Sequence, residues 1–197
     1  MKRQTKVPTR IRILDAARQL FFEKGVEQTS VAEICRVSGV SNGSLFHHFS
    51  TKEAIACEVF VAIRREYWMY VLGAMEACED VGDAAEASIR AAFAFQRDHP
   101  DGYGFMLDCS SAAWMHRENT MLRDLNADFV ERAMRWATPH VMAGRLPMLS
   151  AHTFGALIFG LPQWIARETR ANLSPPDAQR CADELAGLMR KLFSAAP

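Results

Sequence analysis

Residues 30–55 read SVAEICRVSGVSNGSLFHHFSTKEAI, and the fold is decided there. Apolar residues at helical spacing predict a short helix from about Ser30 to Val37. Gly39 ends it, because the turn that follows needs a residue able to take the left-handed conformation. Ser41 is placed to cap a second short helix reaching about Phe49. Cys35 lies four residues before Gly39, where a small side chain lets the two helices cross closely. Val40 and Leu45 are spaced to fill the gap between them, and Leu45 and Phe49 share a face. Two short helices joined this way make a helix-turn-helix.

The opposite face of the second helix carries Asn42, Ser44, His47 and His48, all short or planar hydrogen-bonding groups. A helix of this size fits the major groove of DNA, with its N-terminal half against base edges. Thr29, Ser41 and Lys52 flank it and are placed to hold phosphates. Taken singly, these residues equally suit a capped, solvated helix face. The joint pattern of caps, Gly39 and basic flanks favours nucleic acid. The His pair does not suit a metal: neighbours on a helix point about 100° apart, and no Cys or acid is spaced to help.

Charge supports the same reading. The 197 residues carry 23 Lys/Arg and 23 Asp/Glu, a net charge of zero. Residues 1–52 hold nine Lys/Arg and four Asp/Glu, leaving −5 on residues 53–197. A basic head on an acidic body points the head at a polyanion. Five scattered cysteines with no CxxC pair argue against a disulfide framework and a zinc site, and they read as buried free thiols. No apolar run reaches the roughly 18 residues of a membrane span, and no apolar signal core follows the basic MKRQTKVPTR. The expectation is a soluble, cytoplasmic protein with no membrane partner.

The chain is helical throughout by spacing, with no alternating strand pattern. Ile13, Ala16, Ala17, Leu20 and Phe21 form the first stripe, which Gly25 stops. After Ser50 or Thr51 a long helix runs to about Asp80, with Glu53 in its first turn. Further helices are expected near 83–98, 101–115, 118–143, 150–170 and 175–194. Val81-Gly82-Asp83, His99-Pro100-Asp101-Gly102, Gly144 with Pro147, and Ser174-Pro175-Pro176 read as breaks, and Pro139 and Pro162 predict kinks or local breaks.

The set Ile13-Leu14-Asp15-Ala16-Ala17, Leu20-Phe21, Gly25, Thr29, Val31, Ile34, Gly39-Val40-Ser41, Gly43, Leu45, His48-Phe49 and Lys52-Glu53 resembles the TetR family of bacterial transcriptional regulators. The resemblance covers roughly residues 10–58. It implies an all-α homodimer, with a helix-turn-helix DNA-binding domain at 1–52 and a helical effector-binding and dimerisation domain at 53–197. It implies that Asn42, Gly43 and His47 read bases while Thr29, Ser41, Ser44, His48 and Lys52 contact the DNA backbone. It also implies repression at a palindromic operator in double-stranded DNA, relieved by a small-molecule effector. The chain departs from the family's usual Tyr at Phe46 and its usual Ala at Cys35.

From Glu53 onward lie all four Trp, eight of the twelve Phe and nine of the ten Met. Such a composition suits a pocket for a largely apolar ligand, and equally an ordinary core. Tyr67, Phe93, Gln96, Phe105, Cys109, Trp114, Phe129 and Trp136, which the resemblance places on the helices that enclose the effector site, are the candidates for an effector pocket. Phe154, Leu157, Ile158, Leu161 and Ile165 form one wide apolar face; Cys181, Leu185, Leu188 and Leu192 form another. Two such helices per subunit predict a four-helix dimer interface. Cysteine oxidation or a protein partner is the rival to ligand control. An enzyme using Cys109 and His116 is the remote rival, since seven residues of helix separate the two by about 10 Å. No phosphate loop, dinucleotide loop or metal motif appears, so no cofactor is expected.

Overall fold

The structure is a computed structural model that describes residues 7–116, 119–172 and 174–194, without the side chains of Ala113, His116 and Asn119. Every regular element among these residues is helical. The order is α1 (Thr9–Gln28), α2 (Val31–Ser38), α3 (Asn42–His48), α4 (Lys52–Glu76), α5 (Val81–Asp98) and α6 (Pro100–Cys109). A 3-10 turn (Ala113–His116), α7 (Asn119–Met142), α8 (Ala151–Gly155), a π turn (Ala156–Gly160), α9 (Leu161–Ala171) and α10 (Ala178–Ser194) follow. No described helix is long and apolar enough to cross a membrane.

Packing divides the chain within α4. One compact unit holds residues up to Ile63 together with Gly104–Leu122; the other holds Arg64–Tyr103 and the residues from Arg123 on. The expected boundary at 52/53 differs from this packing division, which falls eleven residues later and returns Gly104–Leu122 to the first unit.

In the first unit, Ile13, Ala17, Leu20 and Phe21 of α1 are buried with Ile34, Leu45, Phe49 and Ile55. Phe105 of α6 lies parallel to Phe21, ring centroids 5.9 Å apart, which explains why this piece of α6 packs here. Gly25 breaks the helical dihedrals as expected, but the chain resumes one further turn to Gln28. The Lys52 ammonium donates to the carbonyls of Val26 and Glu27 at 2.6 and 3.4 Å, so a cation closes the negative end of α1.

In the second unit, α10 buries Ala182, Ala186, Met189 and Phe193 and packs against α5. Gly82 makes that approach possible: a Cβ there would meet Ser194 Oγ at 2.1 Å and the Arg190 carbonyl at 3.0 Å. Arg90 and Arg190 join the two helices through Asp183, Asp83 and Glu86. Val81 and Gly82 open α5 rather than breaking it, because Asp80 caps the helix by accepting from the Asp83 N–H at 2.9 Å. Pro162 has the local effect expected of it. It removes a backbone donor just after the π turn, where the ladder is already widened. Pro139 does not end α7, which continues to Met142.

Candidate nucleic-acid interface and ligand cavity

The α2–α3 pair is assembled by local chemistry. Ser30 and Glu33 form a reciprocal capping box at the start of α2, and Lys24 of α1 donates to Glu33 Oε1 at 2.5 Å. Lys24 first, then Ser30, holds the Glu33 carboxyl at a pKa of about 2. Gly39 takes φ 62° and ψ 32° as the α2 cap. Arg12 of α1 donates to the Ser38 and Gly39 carbonyls at 2.5 and 2.8 Å, so the turn is fastened to the first helix. Ser41 caps α3 by accepting from the Ser44 N–H at 3.3 Å, and Leu45 is fully buried beneath it. The Ser30/Glu33 box is legible as S-x-x-E, and the sequence reading passed over it. Arg12 had no local signal.

This scaffold leaves Asn42, Gly43, His47 and His48 exposed on α3 and Ser44 half-buried. The Cys35 thiol faces Asn42 Oδ1 at 3.8 Å, near the limit of a weak S–H contact. The His47 and His48 rings meet edge to face at 5.4 Å. Phe46 is exposed on the same helix. Thr29 is a correction to the expected phosphate contact. It is 1% exposed, and its hydroxyl donates to the Gly25 carbonyl at 2.8 Å, inside the protein. Lys52 is half-buried and engaged with α1, as described above.

In the second unit a cavity of about 290 Å³ opens between α7, residues 146–149 and α8. Phe129, Ala133, Ala137, Leu146, Leu149 and Phe154 form much of its wall, with Met134, Met142 and Met148 also lining it. The lining is almost wholly apolar. Its one hydroxyl, on Thr138, donates to the Met134 carbonyl at 2.7 Å.

The eight expected pocket residues fall in three places. Phe129 lines the cavity, and Trp136 lies beside it with Leu146 and Phe154 in a small adjoining gap. Tyr67 is buried against Phe95, Tyr103 and Phe159, and Gln96 donates to the Tyr103 hydroxyl at 3.2 Å; Phe93 is buried on the same helix as Gln96. The Tyr67 hydroxyl is close enough to Tyr103 and Gln96 to feel both, yet no hydrogen bond of ordinary geometry reaches it. Burial pushes both phenols up, Tyr103 to about 12. Phe105, Cys109 and Trp114 are buried in the first unit. Tyr103 was missed because only the tertiary fold brings it to Tyr67. Burial, then Asp108, raises the Cys109 thiol to about 12, the opposite of an activated nucleophile. The side chain of His116, its proposed partner, lies outside the described residues.

Of the expected dimer residues, Leu161, Leu188 and Leu192 are 40%, 61% and 58% exposed, while Phe154, Leu157, Ile165, Cys181 and Leu185 are half-buried. Ile158 is a correction: it is buried within the chain itself, beside Met75 and Phe193. Trp164, 60% exposed and three residues after the exposed Leu161, was missed despite legible spacing.

Residues 13–59 match the family model described as bacterial regulatory proteins, tetR family. Over 48 residues the chain is 50% identical to the HTH-type transcriptional regulator UidR of Escherichia coli K12, a match covering 24% of each chain. Over 50 residues it is 42% identical to the transcriptional repressor KstR2 of Rhodococcus jostii, covering 25% of this chain and 24% of that one. The match thus spans about a quarter of the length of these curated relatives. Over nearly the whole chain the fold is similar to a putative tetR family regulator from Shewanella. The TM-score is 0.73 at 20% identity, with 95% of this chain and 99% of that one covered.

Proposed function

We infer that this chain, whose N-terminal domain belongs to the tetR family of bacterial regulatory proteins, is a transcriptional regulator. In this reading it is a repressor that binds a palindromic operator as a homodimer and leaves it when a small apolar effector binds. The observation that carries the reading is α3 itself. A capped helix, fastened through Gly39 and Arg12, presents Asn42, Gly43 and His47 to solvent within the residues that match the family. Asn42 suits a bidentate contact to adenine, and His47 offers ring nitrogens one turn beyond Gly43. The backbone set narrows to Ser41, Ser44, His48 and Lys52, with Lys52 sharing its ammonium between α1 and phosphate.

One α3 reads too few bases for specificity, so two must act together about 34 Å apart. The open apolar face of Leu161, Trp164, Leu188 and Leu192 supports dimerisation through α9 and α10. The cavity beside α7 supports a largely apolar effector, because the Thr138 hydroxyl is the one polar side-chain group in its wall and its hydrogen is already given to the Met134 carbonyl. A route to DNA is supported by Glu76, which accepts from Arg132 of α7 at 2.5 and 2.8 Å and ends α4, the helix that begins at Lys52. Movement of α7 around a ligand therefore pulls on α4.

The test is selection from a random pool of DNA duplexes. The reading expects an enriched palindrome with half-sites at least one helical turn apart. Enrichment of nothing, or of single half-sites bound by monomer, would count against it.

A further inference from the structure

Phe46 is the one large apolar side chain on α3 that the protein does not cover. It is 48% exposed, while its neighbour Leu45 is fully buried. A single exposed hydrophobic residue needs no explanation by itself. Phe46, however, stands on the surface made by Asn42, Gly43, His47 and His48, one turn after Asn42 and on the same side of the helix. Its ring has no hydroxyl or amine, so it cannot donate to a phosphate or to a base edge. Among the groups displayed in the major groove, one is apolar: the 5-methyl of thymine.

Resting on the DNA-binding reading above, we propose that Phe46 is a specificity residue that packs on the 5-methyl group of a thymine in each half-site. One helical turn advances about 5.4 Å. Base pairs in B-DNA are spaced about 3.4 Å along each strand. The thymine therefore lies within about two base pairs of the base that Asn42 contacts. The contact is made by burying the ring edge and the methyl together, at about 0.8 kcal/mol per buried methyl-sized group. This corresponds to about fourfold in affinity for one half-site and about fifteenfold for both. The protein thereby tells thymine from cytosine at a position where it makes no hydrogen bond.

Replacing thymine by uracil removes this methyl and nothing else. The probe is the palindromic duplex enriched from a random pool, with each symmetric pair of thymines replaced by uracil in turn. Wild-type protein is expected to lose about fifteenfold at one pair near the Asn42 contact. Phe46→Ala is expected to bind the parent duplex about fifteenfold more weakly and to be indifferent to uracil at that pair, while any losses at other thymines persist. Phe46→Leu, which keeps an apolar side chain, is expected to retain part of the uracil penalty. A flat uracil scan with the wild-type protein overturns the proposal while leaving DNA binding intact. A penalty of equal size in wild type and Phe46→Ala also overturns it, since the methyl is then read elsewhere. If no duplex is enriched at all, the DNA-binding reading fails and this proposal falls with it.

Discussion

The Glu33 carboxylate receives Lys24, the Ser30 backbone and the Ser30 hydroxyl at once, and that convergence holds its pKa near 2 against an ordinary 4.5. Because the folded value is depressed, the stabilisation is complete above about pH 4.5 and is lost as pH falls towards about 2. Thermal unfolding followed between pH 5 and 2 is expected to lose stability in this window, and Glu33→Gln is expected to flatten the slope. An unchanged slope in the variant would remove Glu33 from the account. Cys109 gives a second residue-scale expectation. A buried thiol with a pKa near 12 carries almost no thiolate at neutral pH, so iodoacetamide should label it far more slowly in the native state than after unfolding. Rapid native labelling would revive the cysteine-oxidation reading.

At the scale of elements, the closest approach is the testable one. Gly82→Val brings branched methyl groups into Ser194 and the Arg190 carbonyl where α5 meets α10. Overpacking of this kind costs about 1–3 kcal/mol, measured as a shift in the denaturant midpoint. Ser194→Ala is expected to recover part of it, since the nearest of the three atoms in the way is the Ser194 hydroxyl, ahead of the Arg190 carbonyl and the Asp80 carboxylate. A neutral Gly82→Val would mean that the two helices separate freely. Much of the element plan was legible in the sequence because it rests on local signals. The stripe Ile13–Phe21, Gly39 and the Ser41 cap each act within a few residues: the stripe marks a real helix, and Gly39 and Ser41 mark real helix ends. Readings that needed tertiary information did worse. Thr29 turns inward to Gly25, Ile158 is core, and Tyr67 meets Tyr103 only because α4, α5 and α6 fold together. The open apolar cavity was not legible either, since its wall comes from a helix, an irregular segment and a second helix that no single periodicity joins.

For the whole molecule the account requires two reading heads and a route from ligand to DNA. Leu161→Glu with Leu188→Glu places charge on side chains that the subunit itself leaves open, so each subunit should stay folded while the dimer separates. Light scattering at micromolar concentration is expected to give a monomer, and a persistent dimer would move the interface. Arg132→Ala cuts the link from α7 to Glu76 at the end of α4. It is expected to leave ligand affinity in the cavity nearly unchanged while lowering the ligand's effect on DNA binding; a tenfold effect corresponds to about 1.4 kcal/mol of coupling. The central claim is that α3 reads DNA, and fluorescence anisotropy of the enriched duplex over a range of salt concentrations tests it most directly. Wild-type affinity should fall steeply with salt as phosphate contacts are screened. Asn42→Ala with His47→Ala should lose about 1–3 kcal/mol per residue on that duplex, keep the same salt slope, and bind unrelated duplexes as before. Unchanged affinity of the double variant for the enriched duplex would contradict the account.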